Sequence, residues 1–416
     1  MRLVPLLIAA AIAFAQPARD PDALLAQART RLQAAAHNLQ KYVCVETVDR
    51  SYYERAQAGG PRRLEFTDRV RLEVTLSQGR ELHSWPGATR FDSRDVDELI
   101  RDGPVSTGAF GAYLTSVFDR PGVEFHYLGE RSANGRTALE YGYRAPLEAS
   151  RFEIRVAAEW RPAAYEGEFQ LDPQSLDLER LTIRANQLPS GAAFLAAGAT
   201  LEYQRVRIGD SDVLLPRQSR LEISLNSGRE TRNDITFSNC REYQAESEIV
   251  FGAPPETESP TAPRAGRGRV ALSIGLPVSL ALDAPIDTAS AAAGDPVAAR
   301  VLKPVDRSGS GDQLIPAGAI VRGRIRRVEH HLLPAPYFLV AWSFNRVEAL
   351  GAVSPFVARS EPDEELAKEL GANLAMRDTG IWFWGVGTFL FPTNKSHTVI
   401  PAGFESKWFT LATGGR

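Results

Sequence analysis

The sequence predicts a mainly β protein (α+β class). It reads as a curved antiparallel half-barrel with a long N-terminal helix and short plug helices, followed by a smaller β-rich domain. Three observations carry this. The spacing of apolar residues changes from helical to alternating after Tyr42. The alternating runs are short, each has one apolar and one charged face, and tight turns separate them, as in an antiparallel sheet with one wet side. Finally, Ala253 to Gly268 holds four Pro, two Gly and no large apolar residue, and so divides the chain in two.

The first element is an address. Met1-Arg2 is basic, Leu3 to Ala15 is apolar, and Ala13-Phe14-Ala15 supplies a small-x-small site before Gln16. That is the pattern of a cleaved secretory signal over 1–15. The thirteen residues from Leu3 to Ala15 are too few to span about 30 Å of hydrocarbon as a helix. No later stretch is long and apolar enough to hold the mature chain in a bilayer. An exported protein of the periplasm or extracellular space is expected, its mature form beginning at Gln16.

Asp20-Pro21 opens a helix, with Asp as cap and Pro in the first turn. Leu25, Ala28, Leu32, Ala35, Ala36 and Leu39 give it one apolar stripe. Tyr42 to Val48 then reads as a strand. Phe66, Val70, Leu72, Val74 and Leu76 alternate with Thr67, Arg69, Arg71, Glu73 and Thr75. Short helical patterns follow over Ser93 to Arg101 and Thr107 to Phe118, apolar enough to plug the concave side of a sheet. Phe152, Ile154, Val156, Ala158 and Trp160 alternate as a further strand, and Tyr165 to Leu171, Leu181 and Ile183 continue the pattern. Leu221 to Leu225 and Arg229 to Phe237 flank the hairpin signal Asn226-Ser227-Gly228.

Domains are therefore expected at 16–252 and 269–416, with 253–268 as linker. In the second, Val278 to Leu282, Pro296 to Val301 and Ala319 to Val328 read as strands, and Ser360 to Asp363 opens a helix carrying Leu366, Leu370 and Leu374. Trp382, Phe383, Trp384, Phe389, Leu390 and Phe391 suit a core strand pair. Ile315-Pro316-Ala317-Gly318 echoes Ile400-Pro401-Ala402-Gly403, each a type I turn on its Pro-small-Gly pattern.

Composition excludes some classes. Of 416 residues, 48 are Lys or Arg and 51 are Asp or Glu, a net charge of −3 and no footprint for nucleic acid. Six His offer no two-His helical zinc motif. His330-His331, as strand neighbours, would face opposite ways, and otherwise reads as a solvated loop pair. No nucleophile elbow, phosphate-binding loop or dinucleotide fingerprint is present. No catalytic residue, metal or cofactor is assigned. Arg322, Arg324 and Arg326, with Arg327 beside them, either meet phosphates or discourage edge pairing on a solvated face.

The two cysteines take their meaning from export. Cys44 and Cys240 both sit near strand-like runs, and in an oxidising compartment an even pair is bridged more often than free. The bridge would tie the first strand of the N-terminal domain to its last, which a nearly closing sheet brings together. Two separate buried thiols are the alternative.

Tyr42-x-Cys44-x-Glu46-Thr47, Asp172-Pro173, Arg207-Ile208-Gly209-Asp210 and Ser238-Asn239-Cys240-Arg241 resemble an uncharacterised family of secreted bacterial proteins. The build of Asp20 to Phe251 resembles the outer-membrane lipoprotein carrier superfamily. That resemblance implies a long N-terminal helix, a strongly curved half-barrel and short helices over its concave face.

An open apolar face either binds something or is plugged. The expected function is thus non-enzymatic binding or carriage of an apolar ligand, an acyl chain, lipid or lipoprotein, in the envelope. Phe66, Val70, Leu72, Phe152, Ile154 and Trp160 are the candidate lining residues, and core packing would use them equally well. The alternatives are an envelope assembly or scaffold protein docking a protein partner through its C-terminal β domain and, more remotely, a hydrolase.

Overall fold

A computed structural model describes residues 20–55, 60–88, 91, 108–133, 135–150, 152–156, 159–243, 272–307, 313–349, 351–372 and 385–412. The expected signal segment, the linker over 253–268, the helix over 93–101 and Trp382 to Trp384 lie outside them.

Helix α1 (Pro21–Leu39) begins where Asp20 accepts a hydrogen bond from the Asp22 amide. The N-terminal strands are β1 (Tyr42–Arg55), β2 (Arg62–Ser77), β3 (Arg80–Ser84), β4 (Glu124–Ala133), β5 (Arg136–Ala145), β6 (Glu153–Val156), β7 (Glu159–Pro162), β8 (Ala164–Leu171), β9 (Leu178–Gln187), β10 (Phe194–Ile208), β11 (Ser211–Leu225) and β12 (Glu230–Glu242), with helix α2 (Ala112–Phe118) between β3 and β4. Ten of them pair antiparallel in the order β3-β2-β1-β12-β11-β10-β9-β8-β5-β4, forming a sheet whose apolar face is covered by α1 and α2. The cover is a mesh of apolar side chains: Ala28, Leu32, Ala36 and Leu39 from α1, and Tyr113, Leu114, Val117 and Phe118 from α2, all buried.

The run from Phe152 to Trp160 corrects an expectation. It is not one strand of the large sheet but a separate hairpin, β6 with β7. Its Ile154 packs in a small cluster with Ala163 and Ala192. Alternation fixes which residues share a face, and it cannot say whether a run folds back on itself.

The C-terminal strands are β13 (Pro277–Leu282), β14 (Ile286–Asp287), β15 (Pro296–Val301), β16 (Val305–Asp306), β17 (Gln313–Ile315), β18 (Ile320–His331), β19 (Tyr337–Ala349), β20 (Ala352–Pro355), β21 (Ala358–Ser360), β22 (Val386–Pro392), β23 (Val399–Ile400) and β24 (Glu405–Thr410), with α3 (Glu364–Glu369) after β21. The order is β21-β24-β13-β15-β18-β19, with β20 and β22 sharing the far edge of β19. Val340, Trp342 and Phe344 of β19 enter the main C-terminal core, and Leu339 and Ala341 pack under α3. Burial on both faces is why β19 reads as a continuous apolar run.

The two Ile-Pro-Ala-Gly segments are equivalent turns, closed by Ala319 N–H to Pro316 C=O and Phe404 N–H to Pro401 C=O. Gly318 and Gly403 have φ of 83° and 82°. Positive φ at the third residue belongs to type II, not the expected type I.

The two regions form one sheet. Phe66 to Asp68 of β2 pair with Glu329 to His331 of β18, and Glu73 to Ser77 of the same edge pair with β3. The register sets one row of side chains across the joint: Ile183, Ala199, Leu221, Asn233, Arg50, Asp68, Glu329 and Leu339 stand opposite one another in successive strands. Burying charge here requires pairing. The Arg50 Nε donates to Asp68 at 2.7 Å, while Arg327 and His331 both bond Glu329. In the next row Tyr52, Phe66, His331 and Tyr337 stack in sequence, with ring centroids 4.0, 5.0 and 4.6 Å apart. His330 and His331 are thus strand residues, not a solvated loop pair. They do face opposite ways, His330 stacking on Phe338.

The arginines of β18 are held within the chain. Arg322 bonds Glu348, Arg324 the Gly294 carbonyl, Arg326 Ser343 and Arg327 Glu329. Register shifts at Arg322/Gly323 and Ile325/Arg327 break the expected alternation.

Cys44 and Cys240 form a disulfide, with Cα atoms 4.0 Å apart. They meet because β1 and β12 are immediate neighbours rather than because the sheet closes on itself. The register shifts beside Cys44, between Val43 and Val45. Asn239, on the facing strand beside this irregularity, has a positive φ of 48°.

Candidate functional site

The inward face of β1 carries Tyr42, Cys44, Glu46, Val48 and Arg50, a charged residue at two positions where parity calls for apolar ones. Glu46 has no solvent exposure. Its Oε2 lies 3.1 Å from Nε2 of His83 on β3, itself buried, and its Oε1 has no hydrogen-bond partner. Burial opposes charge on His83, but the hydrogen bond and charge of Glu46, with Glu81 behind it, outweigh burial and raise its pKa.

Glu81, two residues along β3, is partly buried and accepts backbone N–H bonds from Gly108 (2.5 Å), Gly111 (2.8 Å) and Ala112 (3.2 Å). The Gly111 and Ala112 amides are donors that the start of a helix leaves unsatisfied, so one carboxylate from the sheet caps α2 and holds the Gly108 amide just before it. Burial, reinforced by the neighbouring Glu46, raises the Glu81 pKa, while His83 and the glycine amides pull it down. Glycine is required at this attachment. Gly108 has a φ of 134°, and a Cβ there would come within 2.6 Å of the Tyr113 ring. A Cβ on Gly111 would press on Leu39 of α1 and Leu76 of β2 at 3.0 and 3.1 Å.

On β10, the Tyr203 hydroxyl is buried and unpartnered. Burial first, then the charge of Glu81, push its pKa far up. Further along α2, the Tyr165 hydroxyl donates to the Ser116 carbonyl and Gln33 of α1 to that of Phe118, each at 2.9 Å. Beyond its start the helix thus has one polar bond from the sheet and one from α1, and most of its polar attachment is to Glu81.

The candidate lining residues are dispersed over this interior. Val70 and Leu72 are buried in the core under the helices. Phe66 lies in the aromatic stack at the β2–β18 joint. Phe152 packs between the main core and the β6–β7 cluster, within 6.2 Å of the Tyr113 ring, while Ile154 belongs to that cluster alone. Trp160 lies on β7 opposite Arg155. The sequence reading missed Glu46, Glu81, His83 and Tyr203. The signal that could have found the first was a carboxylate at an inward parity position.

A second concavity, of about 530 Å³, lies across β9 to β12. Arg184, Gly198, Glu222 and Arg232 line it, with the Arg62–Glu230 ion pair at one end. Both charge signs are present, and none of the candidate lining residues reaches it. Among the described residues, no cluster of three metal-ligating side chains occurs, and no helix is long and apolar enough to cross a membrane.

No family model matches this chain, and no curated protein does. Solved structures do. A putative outer membrane lipoprotein-sorting protein domain from Vibrio parahaemolyticus is similar at 11% identity over 53% of this chain and 93% of its own, with a TM-score of 0.29. A DUF1329 family protein from Desulfovibrio piger is similar at 13% identity over 56% and 98%, with a TM-score of 0.30. The Mycobacterium tuberculosis lipoprotein LppX is similar at 13% identity over 54% and 99%, with a TM-score of 0.19.

Proposed function

We propose that the protein is exported and binds an apolar ligand, an acyl chain or lipid, on the concave face of the N-terminal sheet, with α2 giving way to it. The observation that carries this reading is the nature of the cover. A seven-residue helix closes part of a large apolar face, and a single side chain, Glu81, holds the three amides at its start. A short helix has little stability of its own and depends on the surface it covers. A ligand that presents equivalent apolar area can therefore replace it at modest cost. Such a ligand would run along the inward face of β2, on which Val70 and Leu72 lie, with Phe66 and Phe152 at the margins. Ile154 and Trp160 belong to the outlying hairpin. Export is supported by the Met1 to Ala15 pattern and by the Cys44–Cys240 disulfide.

The test is native mass spectrometry of the exported protein after mild purification, followed by photocrosslinking with a diazirine-bearing acyl chain. Bound lipid, and crosslinks on β2 and α2, are expected. Crosslinks confined to the outer concavity of β9 to β12 would refute the assignment.

A further inference from the structure

We infer that the concave interior selects an amphiphile with a cationic, donor-rich head, and that Glu46, Glu81 and Tyr203 form the subsite for that head. This inference rests on the ligand-binding reading above and names the ligand class for the same interior.

Two polar atoms there are already without partners, the Glu46 Oε1 and the Tyr203 hydroxyl, on side chains at least nine-tenths buried. An unsatisfied buried acceptor is unfavourable, and a charged one more so. Glu46 has used its other oxygen on His83. Glu81 is satisfied only by α2, whose Gly108, Gly111 and Ala112 amides occupy it. A ligand that displaces α2 removes those three donors and leaves a carboxylate facing an apolar surface. Only a ligand that brings N–H or O–H donors restores the balance. The cluster sets two carboxylates against one imidazole, so a carboxylate or phosphate head would add repulsion where an ammonium adds charge-assisted hydrogen bonds. In register, Glu46, His83 and Glu81 flank Leu72, Val74 and Leu76 of β2, so the head would sit beside these three residues and the apolar chain would extend from them over the rest of the interior.

The experiment is isothermal titration of the full exported chain at pH 7 with three ligands of one chain length, dodecylamine, dodecanol and dodecanoate, each below its micelle concentration. Dodecylamine is expected to bind about tenfold more tightly than dodecanoate, the ratio given by roughly one charge-assisted hydrogen bond. Glu46→Gln and Glu81→Gln should each shrink that ratio and leave dodecanol affinity in place. Glu222→Gln, on the outer face, should keep it. Equal binding of all three, or tighter dodecanoate, overturns the head-group assignment while the ligand-binding reading stands. A ratio lost in Glu222→Gln overturns it too, since the amine would then be bound by the outer surface. If none of the three binds, the ligand-binding reading itself falls. The wild-type ratio decides by itself, so a variant that fails to fold does not obscure the outcome.

Discussion

Glu329 sits in a buried setting with Arg327 and His331, its side chain only 5% exposed. Burial disfavours its charge, yet Arg327 and the hydrogen bond from His331 outweigh burial and hold its pKa at about 2. An unfolded Glu titrates near 4.3, so the folded value is depressed. The stabilisation is therefore complete above about pH 4.5 and lost as pH falls toward 2. Asp68 next to it moves the other way, its pKa raised by burial despite Arg50. The informative quantity is thus the difference between chains. Urea unfolding of wild type and Glu329→Gln from pH 5 to pH 2 should show the variant with the smaller loss on acidification. At pH 7 the variant should be about 3 kcal/mol less stable, the cost of removing the buried carboxylate that pairs with Arg327. Equal pH slopes would refute the assignment. Arg50, Asp68 and Glu329 were readable only as polar residues at inward positions, because a sequence does not say which strand will bring the opposite charge.

Helix α2 and the Cys44–Cys240 pair are the elements most open to single changes. Gly108→Ala must place a Cβ against the Tyr113 ring at a φ that alanine avoids. A loss of about 2 kcal/mol is expected from strain and overpacking, and hydrogen exchange should quicken at the α2 amides before those of α1. Uniform quickening across the N-terminal sheet would argue against α2 as the detachable cover. The disulfide closes a loop with a sequence separation of 196. The chain-entropy model gives up to about 5 kcal/mol for so long a loop. Cys44→Ser and Cys240→Ser should each lower the midpoint of thermal unfolding, and the double variant should lie no lower than the worse single. Two free thiols per chain in unfolded, unreduced protein would contradict the bridge. The start of α1, the strand parity of β2 and the turn at Asn226-Ser227-Gly228 were all legible, since each depends on residues a few positions apart. The β6–β7 hairpin was not. The sequence between the two strands, Ala157-Ala158, has no Gly, Pro or Asn to announce a reversal.

At the scale of the whole molecule, the β2–β18 ladder joins the two regions through paired backbone, buried ion pairs and the Tyr52 to Tyr337 aromatic stack. Arg69 adds a bond to the Ala289 carbonyl at 2.6 Å, and Arg71 pairs with Asp295. We propose that 253–268 is the boundary between the two domains, and that severing it leaves them associated. With a protease site inserted there, the cleaved halves should co-elute in size-exclusion chromatography at neutral pH, and should separate once Phe66→Asp removes the ring stacked on His331 across the ladder and sets a buried carboxylate near Glu329. Separation of the halves without that substitution would show that the ladder is too weak to hold them.

The sequence by itself determined the class of the fold, the start of α1, the inward and outward faces of β2, and which two cysteines are there to pair in an oxidising compartment. These follow from local periodicity, from capping and turn chemistry, and from a cysteine count of two. The tertiary structure alone decided that the two regions share one sheet, that β1 and β12 lie side by side, and that Glu46, His83, Glu81 and Tyr203 converge beneath the start of α2. Those contacts join residues tens to hundreds of positions apart, and their partners are chosen by sheet register. Register depends on how every strand packs at once, and no single segment of the chain encodes it.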